Sequence, residues 1–334
     1  MSGGGRSEVI RRRVTSIAGI SVVAVFATVF VIPLVALLAV ADLARAKWRL
    51  PLVRLAAFGI CWAWLELTGV TLAGLLWLGG RGRDTAVHFR LQAWWADKLM
   101  AALQLTCGLR FDIRGAEVLR PGPTVLLPRH ASIADALLTA WTVTDAVGMR
   151  PRVVMKRELL VDPCLDIVGN RLPNCFVDRG ADDSTAELAM IGAMGDGLGR
   201  GDVAVIFPEG TRASPAKRAR AMERLRELDP ERAALVDVLH HVLPPRPSGT
   251  ASLLDATPGT DVVLAWHTGF EGLDTFAGII AALGRPTTTV RMRFRRISRS
   301  DVPDPHEAGF TRWLDDCWLA VDDEVGQLLH DFRS

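Results

Sequence analysis

The sequence predicts an α/β domain, a mixed sheet flanked by helices, preceded by a membrane-embedded helical hairpin. Three observations lead there. Hydrophobic residues make up 49% of the 334 and mean hydropathy is +0.23, with the excess concentrated in the first 80 residues. Beyond them, short apolar runs alternate with helical stretches, as strands joined by helical crossovers do. Two of those runs, ahead of residues 129–135 and 207–212, stop abruptly at charged groups, the place where open α/β sheets bind ligands.

Residues 1–84 read as the anchor. A polar leader ends in Arg11-Arg12-Arg13, and residues 14–41 are then almost wholly apolar. Crossing a bilayer takes about 20 residues, whereas the apolar core of a cleaved signal peptide has only about 7–15, so a retained helix is expected. Pro33 would kink it. A charged joint with Arg45, Lys47 and Arg49 leads to a second apolar segment, 55–79, which contains Trp62, Trp64, Trp77 and Glu66. A carboxylate is expensive in lipid, which leaves this segment as a span, a re-entrant hairpin or an interfacial helix. Arg6, Arg11, Arg12 and Arg13, with Arg81, Arg83 and Arg90, outnumber the joint's cations. That balance places both ends of the hairpin, and the domain beyond it, on the cytoplasmic side of the cell membrane.

Residues 85–334 form the second domain. An amphipathic helix over 85–110 carries Trp94, Trp95, Leu99, Leu103 and Leu105 on its apolar positions. Strands follow at 110–114, 124–127, 151–155, 175–177, 203–207 and 262–266, with a late one from Arg291. Helical stretches cover 134–142, the charged 214–241, and 310–332. A net charge of +2 gives no electrostatic case for nucleic acid. Five scattered cysteines without a C-x-x-C pair fit neither a disulfide framework nor a zinc site. His240 and His241 are adjacent and His267 stands alone, so no metal-ligand spacing occurs and His267 receives no role.

The chemistry concentrates in residues 129–135, Arg-His-Ala-Ser-Ile-Ala-Asp. Histidine handles protons near neutrality, and a carboxylate that holds its tautomer improves it. At about 100° per residue, an offset of five separates two side chains by roughly 140° on a helix. His130 is therefore expected in the bend before the helix, with Asp135 reaching back from the first turn. Ser132-x-x-Asp135 also matches a capping box, in which Asp135 serves the helix end alone. In Phe207-Pro-Glu-Gly-Thr-Arg212, Gly210 would admit backbone close to a ligand and Arg212 could grip a phosphate. Phe176-Val-Asp-Arg-Gly180 is a third apolar run ending in charge.

Together, His-x4-Asp, F-V-D-R about 45 residues later and F-P-E-G-T-R about 30 beyond that resemble the lysophospholipid acyltransferase family, the glycerolipid acyltransferases acting on acceptors such as 1-acylglycerol-3-phosphate. The stretch 238–249 and the strand from Arg291 are similar to the family as well. The resemblance implies transfer of a fatty acyl group from an acyl thioester (coenzyme A or carrier protein, with no further cofactor) to the free hydroxyl of a lysophospholipid, at the bilayer. It implies His130 as general base, Asp135 as its orienting partner, and Arg179, Glu209, Gly210, Thr211 and Arg212 as acceptor-binding residues. Two positions depart from the pattern. Arg129 stands where the family usually has Asn or Ser, and residues 262–266 lack the usual strand proline. The competing readings are a thioester or lipid hydrolase on the same scaffold, and a non-catalytic membrane scaffold.

Overall fold

The computed structural model describes residues 3–178, 185–273, 275–285 and 288–330. The chain divides into two compact units. The first comprises Met1–Arg110, Met155–Asp178 and Ala277–Thr288, and the second Phe111–Val154, Arg179–Phe276 and Thr289–Ser334. The first unit takes in later segments of the chain, to which polar side chains fasten the apolar helices.

The first unit contains four long helices: α1 (Gly3–Val29), α2 (Val31–Ala44), α3 (Pro51–Leu78) and α4 (Thr85–Cys107). Two of them, α1 from Gly5 and α3, are long and apolar enough to cross a bilayer, by length and composition. The helix expected over 14–41 is two helices. The break falls at Phe30, three residues before Pro33, whose ring nitrogen has no hydrogen for the Val29 carbonyl. Helix α1 also begins well before residue 14 and takes in the arginines of the leader. Arg12 Nε donates to Asp166 Oδ2 at 2.9 Å and Arg13 Nη2 to Asp166 Oδ1 at 3.1 Å. Helix α3 is held along its whole length. Arg54 donates to the carbonyls of Thr106, Cys107 and Leu283. Glu66 accepts from Trp95 Nε1 at 3.0 Å and from the Cys164 N–H at 3.1 Å. Arg171 reaches the Ala73 carbonyl at 3.0 Å. Glu66 thus answers buried donors instead of meeting lipid, which removes the expense noted for a carboxylate in this segment. On α4 the expected apolar face holds at Leu99, which is buried, but Leu105 is 84% exposed.

Among the described residues seven strands occur in chain order: β1 (Arg110–Arg114), β2 (Thr124–Pro128), β3 (Arg150–Lys156), β4 (Cys175–Val177), β5 (Asp202–Val205), β6 (Asp261–Thr268) and β7 (Thr289–Ile297). In the second unit the sheet runs β1-β7-β6-β2-β5-β3. Strand β2 is parallel to β5 and to β6, pairing Thr124 with Val203 and with Asp261, and β3 is parallel to β5. Strand β7 lies antiparallel to β6, so the sheet is mixed. Val125, Leu126, Val203, Val205, Val262 and Leu264 are fully buried, as expected of central strands covered on both faces. Parallel pairing brings the carboxyl ends of β2, β5 and β6 to one edge, and the chemistry gathers there. The helical stretch expected over 214–241 is two helices, Pro215–Leu228 and Pro230–Val236. Pro230 cannot continue the first helix, and the Asp229 carboxylate caps the second by accepting from the Arg232 N–H at 3.0 Å.

Candidate active site

Strand β2 ends at Pro128, and residues 129–134 form the bend before helix α5 (Asp135–Trp141). His130 Nδ1 lies 3.1 Å from Asp135 Oδ2. The expected placement holds: histidine in the bend, carboxylate in the first helical residue. An ionised carboxylate only accepts hydrogen bonds, so Nδ1 carries the proton and Nε2 keeps the lone pair. The imidazole packs on Phe207, ring centroids 4.6 Å apart.

Asp135 is fully buried. Its Oδ2 also accepts the N–H groups of Ala131 and Ser132, and Oδ1 accepts the Ser132 hydroxyl at 2.5 Å. Taking the Ser132 N–H is one half of a capping box. The other half is altered, since Ser132 Oγ receives the Ala134 N–H at 3.1 Å. The helix itself begins at Asp135 with Ala134 as its N-cap and no side-chain cap, so this carboxylate closes the bend and orients the histidine instead of capping the helix. A second imidazole reaches it: His267 Nε2, at the end of β6, stands 3.2 Å from Asp135 Oδ1, close enough for charge attraction though off hydrogen-bond alignment. His267 is 1% exposed. Burial pushes the Asp135 pKa up, but the attraction of His267 and the His130 hydrogen bond outweigh it and hold the group well below the carboxylate range.

The turn after β5 supplies the next residues. Glu209 is buried, with Oε1 accepting the His130 N–H at 2.7 Å and Oε2 the Leu243 N–H at 2.9 Å. Burial pushes its pKa up to about 8 against the two backbone donors and Arg129. Gly210 has φ +69°, and a Cβ there would come within 3.0 Å of Arg246 Cδ, so the turn itself requires glycine. Thr211 Oγ1 accepts from Lys217 Nζ at 3.0 Å. The half-buried Arg212 side chain has no hydrogen-bond or ion-pair partner among the described residues. Next to it, the Ala213 N–H donates to the His130 carbonyl at 2.8 Å, which locks this turn onto the histidine bend. Arg179 lies outside the described residues.

Arg129, unassigned from the sequence, is a buried brace. Its guanidinium donates to the His241 carbonyl at 3.0 Å, to Glu271 Oε1 at 3.0 Å and to the His267 carbonyl. Its planar fork suits three acceptors at fixed angles. From the C-terminal helix Gly309–His330, Asp322 accepts the N–H groups of His240, His241 and Val242. Arg232 is paired twice with Asp315 of the same helix. These contacts shape one wall of a cavity of about 350 Å³ beside the bend, lined in part by Arg129, Ser214, Arg218, His240, His241 and Glu271. Burial keeps the His241 pKa below its ordinary value despite the nearby Asp322.

A family model described as Acyltransferase matches residues 110–244, the stretch that runs from β1 through the histidine bend and the Glu209 turn to the cavity wall. That match spans 135 of the 334 residues and holds the histidine bend and the Glu209 turn. No curated protein matches it. Among solved structures, the crystal structure of the 1-acyl-sn-glycerophosphate (LPA) acyltransferase PlsC from Thermotoga maritima aligns with 79% of this chain and 94% of that one, at 16% identity and a TM-score of 0.46.

His130, Asp135 and Glu209 come together at the sheet edge, with Arg212 on the same turn as Glu209. His267 was missed because a lone histidine in a strand has no local signature; its partner is 132 positions away, at Asp135. Arg129 and Asp322 were missed for the same reason. Lys217 sat within an arginine-rich helix that reads as a solvated face.

Proposed function

We propose that this protein is an acyltransferase that moves a fatty acyl group from an acyl thioester to the free hydroxyl of a lysophospholipid, with 1-acylglycerol-3-phosphate giving phosphatidic acid as the best-fitting reaction. The observation that carries this reading is the His130–Asp135 pair, which the Ala213 N–H fastens to the turn that carries Arg212. The acceptor oxygen attacks the thioester carbonyl carbon as Nε2 takes its proton. The tetrahedral oxyanion then collapses, the carbon–sulfur bond breaks, and the imidazolium proton goes to the departing thiolate. General-base assistance contributes about 10²–10⁴-fold, and positioning and oxyanion stabilisation supply the rest. The Ser132 hydroxyl is buried and donates to Asp135, so the reading has no serine nucleophile at the bend and transfer is direct.

Arg212 and Arg179 bind the acceptor phosphate, and Gly210 and Thr211 form the turn that presents it. Glu209 acts through the backbone of His130 as a positioning residue. The cavity beside the bend, at about 350 Å³, is near the lower end of ligand pockets and suits a polar headgroup better than a long chain. The apolar helices are tied within one unit, through Arg12 and Arg13 on α1 and Arg54 in the first turn of α3. An interfacial arrangement on the cytoplasmic face of the cell membrane suits those ties.

A panel of lysophospholipids with labelled acyl-CoA or acyl-carrier protein, run with wild type and His130→Ala, tests the reading. Esterification that depends on His130 and favours phosphate-bearing acceptors is expected. Release of free fatty acid without acceptor at an equal rate would replace it with hydrolysis, and an acyl adduct on the protein would replace direct transfer.

A further inference from the structure

The turn between α2 and α3 lies well apart in sequence from the motifs, and three cations gather around it. A cavity of about 390 Å³ is lined by Lys47, Trp48, Arg49, Ile280, Ala281 and Arg285, with Ala46 and Gly284 completing it. All belong to the first unit. Other arginines of that unit are engaged: Arg12 and Arg13 on Asp166, Arg54 and Arg171 on carbonyls. The side chains of Lys47, Arg49 and Arg285 have no hydrogen-bond or ion-pair partner among the described residues. The nearest acid in sequence, Asp42, is fully buried and accepts the Leu52 N–H at 2.9 Å and the Val53 N–H at 3.4 Å. It therefore caps α3 and leaves the cations uncompensated. The carbonyl end of the helix Phe276–Leu283 also points this way, but Arg54 takes the Leu283 carbonyl at 2.8 Å.

We propose that this cleft binds the headgroup phosphate of one anionic phospholipid of the surrounding membrane. Two features favour a lipid over a soluble anion. Trp48 is 78% exposed beside the cations, the pairing found where a protein meets the headgroup layer. The adjoining α2 exposes Ile32, Leu37, Val40 and Leu43, an apolar track for acyl chains that a free phosphate would not use. Lysines and arginines at a membrane surface draw anionic lipid, and here a cavity collects three of them at one point. The turn is also conformationally unusual: Ala46 (φ +54°) and Leu50 (φ +49°) are the non-glycine residues with positive φ among those described, and they bracket Lys47-Trp48-Arg49.

The test uses the full chain in non-ionic detergent, without thioester donor, so its outcome does not depend on acyl transfer. Native mass spectrometry and titration would measure binding of dihexanoyl-phosphatidylglycerol, dihexanoyl-phosphatidylcholine and glycerol 3-phosphate. Saturable binding of the anionic lipid is expected, weakened about tenfold or more in K47Q/R49Q/R285Q and little changed in R6Q/R11Q/R83Q, which removes three exposed cations elsewhere. Arg285→Gln alone, a single exposed side chain, should show part of the loss, and melting curves confirm that each variant folds. Equal loss in the two triple variants would reduce the site to bulk charge and overturn the proposal. So would equal binding of phosphatidylcholine, and glycerol 3-phosphate binding as tightly as the lipid would make the site one for soluble phosphate.

Discussion

The carboxylates of Asp135 and Glu209 both touch His130, one at the ring and one at the backbone, and both are buried, yet they take opposite charge states. Asp135, in the bend after β2, receives two backbone N–H groups and a hydroxyl and faces two imidazoles. It stays ionised. Glu209, in the turn after β5, receives two backbone N–H groups, and burial prevails, moving its pKa to about 8. Burial alone does not set the charge of an acid; the count and charge of the donors around it do. Environments that push two acids apart also divide their roles. The charged one orients the base, and the one that holds a proton at neutral pH joins two loops without adding a second negative charge beside Asp135.

Four measurements bear on that division, beginning with the largest expected effect. His130→Ala should lower kcat by about 10²–10⁴-fold with little change in melting temperature, because the ring is partly exposed. A fall in stability as large as the fall in rate would demote His130 to a structural group. Asp135→Asn should approach the same rate loss. It should also destabilise by about 1–3 kcal/mol, since an amide NH₂ would confront donors that now meet oxygens; chemical denaturation and turnover on the same sample separate the two effects.

Glu209→Gln tests the other acid through pH. The folded-state pKa near 8 lies above the ordinary 4.5, so the folded chain binds the extra proton between those values. That contribution to stability is complete below pH about 4.5 and is lost as pH rises through 8. Wild type should therefore lose stability relative to Glu209→Gln across this window, by on the order of a few kcal/mol. Parallel denaturation curves for the two proteins from pH 5 to 9 would show that Glu209 is ionised throughout. The smallest effect is expected of His267→Asn, about tenfold in kcat or ~1.4 kcal/mol of barrier, with KM little changed and the pH–rate profile displaced. A change in melting temperature without a displaced profile would confine His267 to packing.

The division at the sheet edge was half legible in the sequence. His130 and Asp135 share seven residues, and the geometry of a bend followed by a helix is local, so their pairing followed from spacing. Gly210 was singled out for backbone approach to a ligand, whereas the structure gives it a local reason, a φ of +69° that selects glycine. Glu209 was found as a site residue, but its inward placement was not, because the N–H of Leu243 that holds it comes from a loop 34 residues on. The apolar hairpin shows the same limit. Its apolar composition read correctly, but the first helix starts at Gly3 and stops at Val29, and the ties of Arg12, Arg54 and Glu66 depend on partners tens to more than a hundred residues away.

By itself, then, the sequence determined the alternation of strands and helices and the histidine–carboxylate pair, both set by periodicity and by contacts within a few residues. Tertiary structure decided which charges were answered. It placed His267 against Asp135, bent Arg129 into a brace for three segments, and left Lys47, Arg49 and Arg285 together without an acid. Charge state in a protein depends on solvent exposure and on every donor within a few ångströms, and those distances exist only after parallel strands have brought remote ends to a common edge.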